Sequence, residues 1–219
     1  MRQHQIKLHC QQHPILQYLD LSYCGEQLRL RQFLPEQSLN LAEQDVYLLI
    51  QGRIQMGCLD YAGKLHICEY IQASQLLNVL ACLEKTALQH DYFSLSSGRL
   101  LHIPQALFLQ QLQHNHLFKQ AIFQWLSKRL WHSAQAQRYL VAGRLKQRIA
   151  YQLLSLSEQS ATKARLIHIS QQQFANLLQV SRQTLHSHLR ELLQLGFIEW
   201  RYHQVKILDV DALQDVARL

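Results

Sequence analysis

Between Leu28 and Pro104 the apolar residues come in short runs that alternate with polar ones, as in YLLIQGRIQMGCLDYAGKLHICEYI from Tyr47 to Ile71. A period of two marks strands with one face buried, and Gln51-Gly52 and Ala62-Gly63 supply tight turns between them. The pattern predicts an antiparallel barrel or roll. Beyond Pro104 the period lengthens. Glycine is absent from Arg99 through Ala142, and in LFKQAIFQWLSKRLWHSAQAQRYLVAG, from Leu117 to Gly143, apolar residues recur at helical spacing. One long helix is predicted there. Its stripe of Leu117, Ile122, Trp125, Leu126, Leu130 and Ala134 is wider and longer than a surface helix needs, which points to a second copy of the chain packing along it. Packing on its own roll alone is the alternative.

Gly143 can end that helix before RLKQRIAYQLLSLSEQS, from Arg144 to Ser160, begins another, and Ser157 to Lys163 reads as a polar loop. RLIHIS, from Arg165 to Ser170, is a short strand ending at a helix cap. Ser170 with Gln173 forms a capping box, and Phe174, Leu177 and Leu178 give the new helix its apolar side. That helix stops near Gln179. Ser181 caps the next, whose buried side is Leu185, Leu189 and Leu192 and whose stop is Gly196. FIEWRYHQVKIL, from Phe197 to Leu208, reads as a hairpin with Arg201, Tyr202, His203 and Gln204 at its tip.

The polar side of the Ser181 helix carries the candidate chemistry. Arg182, Gln183, His186, Ser187 and Arg190 face outward, concentrated toward the N-terminus. A helix-turn-helix needs this arrangement, because the N-terminal half of its second helix enters the DNA major groove. Arginine can donate two hydrogen bonds to guanine O6 and N7, and glutamine can pair with adenine N6 and N7. Arg182, Gln183, His186 and Ser187 are therefore the expected base readers. Ser170, Ser181, Thr184, Arg190, Arg201 and His203, with the helix-start amides, suit phosphate oxygens. The hairpin is then a wing. A merely solvated polar face is the competing reading, and it accounts poorly for strand, two capped helices, glycine stop and basic hairpin in one run.

Charge agrees with this. The 219-residue chain carries a net charge of +7, and from Lys163 to Lys206 six basic residues face two acidic ones. An acidic partner such as nucleic acid fits that balance. No apolar run reaches the roughly 20 residues of a membrane span, and MRQHQIKLHC lacks the apolar core of a signal peptide, so a cytoplasmic protein is expected. The five cysteines, 10, 24, 58, 68 and 82, include no CxxC pair and read mostly as buried thiols rather than a disulfide framework.

The stretch from Ile169 to Ala217 resembles the winged helix of the Crp/Fnr superfamily of bacterial transcription regulators, closest in VSRQT, LREL, LGFIE and VKILDVDAL. The order of the rest is similar: a roll with YLLIQGRIQM, a strand end LLHIP, a long helix, then the reader. The resemblance implies an α+β chain with a double-stranded, jelly-roll-like sensor roll at residues 1–114, a dimerisation helix at 115–142 and a winged helix-turn-helix at 143–219. It implies a homodimer on inverted-repeat DNA, with RNA polymerase as a further partner if the protein is an activator. The second helix of that family commonly reads Ser-Arg-Glu-Thr, with an arginine four residues after the glutamate. Here those two positions are Gln183 and Ser187, so guanine recognition through Arg182 is expected but the familiar half-site is not.

Family members that bind cyclic nucleotides carry a Gly-Glu pair and later Arg-Ser or Arg-Thr. Within ASQLLNVLACLEKTALQHDYF, from Ala73 to Phe93, neither pair is present, and Leu88 and Gln89 stand where the arginine and hydroxyl residue would be. A buried cyclic phosphate would lack its countercharge, so no response to cyclic AMP is expected. Cys10 and Cys24 are too sparse for an iron-sulfur cluster. Thirteen histidines keep a haem- or metal-sensing variant of the fold open, although His114 with His116 and His186 with His188 sit two apart on predicted helices and hence on different faces. A cupin-like metalloenzyme roll would need His66, Glu69, His90 and His102 to converge. No cofactor, metal ligand or catalytic residue is assigned, and the effector is left open.

Overall fold

The computed structural model describes residues 2–21, 27–86, 90–159 and 165–219. The chain divides into two compact units, residues 1–127 and 128–219.

The first unit opens with helix α1 (Arg2–Gln12) and a 3-10 turn (Leu16–Tyr18). Strands β1 (Arg29–Phe33), β2 (Val46–Gln51), β3 (Arg53–Leu59), β4 (Leu65–Gln72) and β5 (Gln75–Leu77) follow. The short helix α2 (Val79–Glu84), strands β6 (Asp91–Ser94) and β7 (Gly98–Ile103) and helix α3 (Gln105–His114) complete the roll. The strands form two antiparallel sheets, ordered β1-β7-β2-β5 and β4-β3-β6. Helix α4 (His116–Ala142) starts in this unit.

Alternation explains why the run from Val46 to Leu49 is wholly apolar. Tyr47 and Leu49 point into the roll with Phe33, Leu39, Ile54, Ile71, Tyr92 and Leu100. Val46 and Leu48 point the other way, to a second core shared with Leu101, Ile103, Phe108, Phe118 and Ile122. Both faces of β2 are buried, so successive residues must all be apolar. The second core also takes Ile6 and Cys10 from α1. That helix was not legible in its sequence, because its three apolar positions, Ile6, Leu8 and Cys10, are spaced by two and make no helical period.

His13, 5% exposed, fastens α1 to the roll. Its Nδ1 accepts hydrogen bonds from the amides of Ile15 (3.2 Å) and Leu16 (3.1 Å), so the proton sits on Nε2 and is donated to the carbonyl of Ser74 at 3.1 Å. Burial holds the imidazole below its ordinary value of 6.5, partly opposed by the bond to Ser74. Because the unfolded chain binds this proton more readily than the folded one, stability is fully present above about pH 6.5 and is lost as the pH falls through the lower folded value. We expect the wild-type melting temperature to drop between pH 7.5 and 5.5, and His13→Gln, whose amide can serve both partners without titrating, to flatten that drop. An equal drop in both proteins would show that His13 is not the source.

The second unit holds the end of α4, helix α5 (Leu145–Gln159), strand β8 (Leu166–Ile167), helices α6 (Gln171–Leu178) and α7 (Arg182–Gln194), strands β9 (Ile198–Arg201) and β10 (Gln204–Ile207), and helix α8 (Val210–Ala217). Its sheet is ordered β8-β10-β9. Tyr139 near the end of α4 stacks on Tyr151 of α5 at 4.1 Å between ring centroids and donates its hydroxyl to the carbonyl of Ala217 at 2.8 Å. These ties fix the chain reversal at Gly143 and Arg144.

Three expectations need correction. The polar stretch read as a loop from Ser157 is helical to Gln159, while 160–163 lie outside the described residues. His114 and His116 do not share a helix: Asn115 breaks the chain between α3 and α4, and its Oδ1 accepts from the amide of Phe118 at 3.0 Å to start the second. Of the cysteines, Cys10 and Cys82 are buried but Cys58 and Cys68 are exposed, because alternation puts them on the outer face of the β3–β4 hairpin; Cys24 lies outside the described residues.

Candidate nucleic-acid interface

Ser170 starts α6 with a full capping box: its Oγ accepts from the amide of Gln173 at 3.1 Å, and Gln173 Oε1 accepts from the amide of Ser170 at 2.9 Å. Phe174, Ala175 and Leu178 of this helix are buried, and the Phe174 ring leans on Trp200 of β9 at 5.5 Å. Gln179 ends the helix in the left-handed region, at φ 56°. Ser181 then caps α7, its Oγ accepting from the amide of Thr184 at 3.0 Å. The first-turn amides of Arg182 and Gln183, as in any helix start, have no intrahelical acceptor and remain available to an anion.

Leu185, Leu189 and Leu192 seat α7 in the core, all three fully buried. Arg182, Gln183, His186, Ser187 and Arg190 are all exposed. At 3.6 residues per turn those five side chains span an arc of roughly 140°. Among the described residues no ion pair engages Arg182 or Arg190. Arg182 and Gln183 thus offer bidentate donors and acceptors with no protein partner to displace. Ser187 is different, because its hydroxyl donates to the carbonyl of Thr184 at 2.8 Å. In that state it can only accept, which suits an exocyclic amino group of adenine or cytosine. The Ser181 and Thr184 hydroxyls lie 2.7 Å apart and share one hydrogen bond, which leaves one of the two protons free for a ligand.

Gly196, at φ +70°, carries the chain out of α7 in the left-handed region that a side chain would resist, and delivers it into β9. The β9–β10 hairpin turns at Tyr202 and His203, with their rings edge to face at 4.1 Å and His203 at φ 57°. Arg201, Tyr202, His203 and Lys206 are exposed. Sequence reasoning missed one feature here. Glu199 Oε1 takes Arg201 Nε at 2.8 Å and Nη2 at 2.7 Å, so the candidate phosphate ligand is held by a carboxylate of its own strand. The signal was present: residues two apart on a strand share a face. An exposed pair of this kind is worth about 0–1 kcal/mol, so a phosphate can displace it. Glu199→Gln should therefore strengthen binding to any duplex and steepen its salt dependence by about one unit of slope. Unchanged affinity at low salt would place Arg201 away from the backbone.

The expected dimer stripe divides. Ile122, 2% exposed, belongs to the core of the first unit, and Trp125 and Leu126 pack partly against it. Leu117 and Leu130 are exposed, together with Phe123 and Trp131, which the sequence reading did not single out. Leu88 and Gln89, the positions compared with the cyclic-nucleotide arginine and its neighbour, lie outside the described residues. His66 bonds to Asp60 at 2.8 Å in one sheet and His102 to Asp45 at 2.7 Å in the other. Among the described residues no three histidine, cysteine or carboxylate side chains are grouped to hold a metal ion, and no helix is long and apolar enough to cross a membrane.

Residues 147–216 match the family described as the Crp-like helix-turn-helix domain. No curated protein matches the sequence. Among solved structures, FixK2 from Bradyrhizobium japonicum is similar with a TM-score of 0.75 at 11% identity, over 88% of this chain and 98% of that one. A CooA mutant from Carboxydothermus hydrogenoformans gives 0.71 at 16%, over 88% and 89%. A CRP/FNR-family transcriptional regulator from Thermus thermophilus gives 0.64 at 18%, over 86% and 98%. The chain thus carries a Crp-like helix-turn-helix domain in its C-terminal part and, taken as a whole, has the fold of the Crp/Fnr superfamily regulators.

Proposed function

We propose that this protein is a transcription regulator that binds inverted-repeat DNA as a homodimer, reading bases with Arg182, Gln183, His186 and Ser187. In this reading residues 1–114 form the sensor roll, 115–142 the dimerisation helix and 143–219 the DNA reader, all working beside DNA in the cytoplasm. The observation that carries it is the outward face of α7, where two bidentate side chains sit unengaged at the capped start of a helix seated by three buried leucines. Ser170, Ser181, Thr184, Arg190, Arg201 and His203 hold phosphates around that face. Phe123, Leu130 and Trp131, at spacing i, i+7 and i+8 and each at least 65% exposed, support pairing of two copies along α4. RNA polymerase is a partner if the protein activates.

The test is a binding titration against a site obtained by selection and against a scrambled duplex. Arg182→Ala should cost about 1–3 kcal/mol on the selected site and relax preference at one base pair, while non-specific binding suffers less. Equal weakening on both duplexes would remove base reading from α7. Cyclic AMP is not the effector in this reading, because the segment from Ala73 to Phe93 lacks the Gly-Glu and Arg-Ser or Arg-Thr pairs. Micromolar binding of cyclic AMP by calorimetry would overturn that part alone.

A further inference from the structure

We propose that Cys58 and Cys68, on the outer face of the β3–β4 hairpin, form a peroxide-sensitive dithiol that closes reversibly to an intramolecular disulfide. The register places them together. Cys58 is paired with His66 and Gly57 with Ile67, after which the ladder slips, so that Met56 meets Glu69 and Cys68 is the extra residue of a bulge. Gly57 and Ile67 are buried and face inward, whereas Cys58 and Cys68 are exposed on the opposite face. They are therefore diagonal neighbours on one surface of paired strands.

The strands are also unusually close here. A Cβ built on Gly57 would stand 2.4 Å from the carbonyl oxygen of His66, an approach only glycine permits. The Cys68 thiol donates to the carbonyl of His66 at 3.8 Å, and partial burial, with Cys58 and Glu69 nearby, raises it above its ordinary value. Cys68, its thiol held by the carbonyl of His66, suits the second step, which leaves the first to Cys58. A disulfide needs Cα atoms within about 4.4–6.8 Å, and the bulge is where the ladder can yield to reach that separation.

The chemistry closes with hydrogen peroxide as oxidant. The Cys58 thiol loses its proton and its sulfur attacks one peroxide oxygen, the O–O bond breaks, and the leaving hydroxide takes the proton to give water and a sulfenic acid. The Cys68 sulfur then attacks the Cys58 sulfur, the S–O bond breaks, and the departing oxygen leaves as a second water with the Cys68 proton. Two thiols are oxidised by two electrons and one peroxide is reduced to two waters. A dithiol reductant reverses the change.

The experiment uses the full chain with stoichiometric hydrogen peroxide, followed by thiol counting and tandem mass spectrometry of the digest. The expected result is loss of two thiols, a single Cys58–Cys68 cross-link two mass units lighter, and full recovery with dithiothreitol. Cys68→Ser should stop at a Cys58 sulfenic acid trapped by dimedone. Urea-unfolded chain treated alike should scatter its cross-links over several cysteine pairs. Native protein that keeps both thiols, oxidises each separately, or couples either one to another cysteine would overturn the proposal.

Discussion

Replacing Leu130 and Trp131 together by glutamate should convert the proposed dimer of about twice 25.8 kDa into a folded monomer. Both side chains are largely exposed, 72% and 65%, and glutamate is a good helix former, so the isolated chain loses little. In a paired helix the same positions would be enclosed, and placing two carboxylates on each side of a symmetric apolar seam leaves charges without partners. The consequence for DNA is larger than any single base contact. Two half-sites bound by one linked dimer gain about 10²–10⁴-fold in apparent affinity over one, and the variant should lose that factor on an inverted repeat while binding a single half-site as before. Sedimentation and half-site titrations separate the two effects. A wild-type chain that is monomeric at micromolar concentration, or a double variant that still sediments as a dimer, ends the proposal of pairing along α4.

What the sequence revealed was governed by short-range chemistry. The capping box of Ser170 and Gln173, the Ser181 cap, the three leucines of α7 and the glycine stop each involve residues within one or two turns of one another, so they could be read without knowing any distant contact. The turns at Gly52 and Gly63 were legible for the same reason, since both residues sit at positive φ. Features set by distant neighbours stayed hidden. Nothing in FKQAIFQWLSKRLW tells which apolar residues the roll will claim, and the core took Phe118 and Ile122 while leaving Phe123 and Trp131 outside. Cys58 and Cys68 are ten positions apart, and only the ladder with its bulge makes them neighbours. His13 reads as an ordinary polar residue until Ser74, distant in sequence, supplies its acceptor. The outward face of α7 was legible, but the carboxylate of Glu199 on Arg201 and the internal bond of Ser187 depend on rotamers that no pattern encodes.

Leu189→Ala should destabilise the DNA-reading unit by about 2–5 kcal/mol. Leu189 is fully buried between Leu185 and Leu192 on the inner face of α7, so truncation removes apolar contact and leaves a cavity that its neighbours fill only in part. Leu195, 55% exposed just beyond the helix, is the control, and Leu195→Ala should stay within about 0.5 kcal/mol of wild type. With two units in one chain, unfolding need not be a single transition, so the shift should appear in the denaturant midpoint of residues 128–219 and leave the roll unchanged. Trp200, half-buried against Phe174, reports on the reader through its emission. The variant also separates scaffold from chemistry. Within its transition, Leu189→Ala should weaken binding to the selected and scrambled duplexes together, through loss of folded reader, and keep the same preferred bases; Arg182→Ala should keep the stability and change the preference. If Leu189→Ala instead altered base preference at full folding, α7 would be positioned by DNA contacts rather than by its buried leucines, and the account of a preformed reading face would fail.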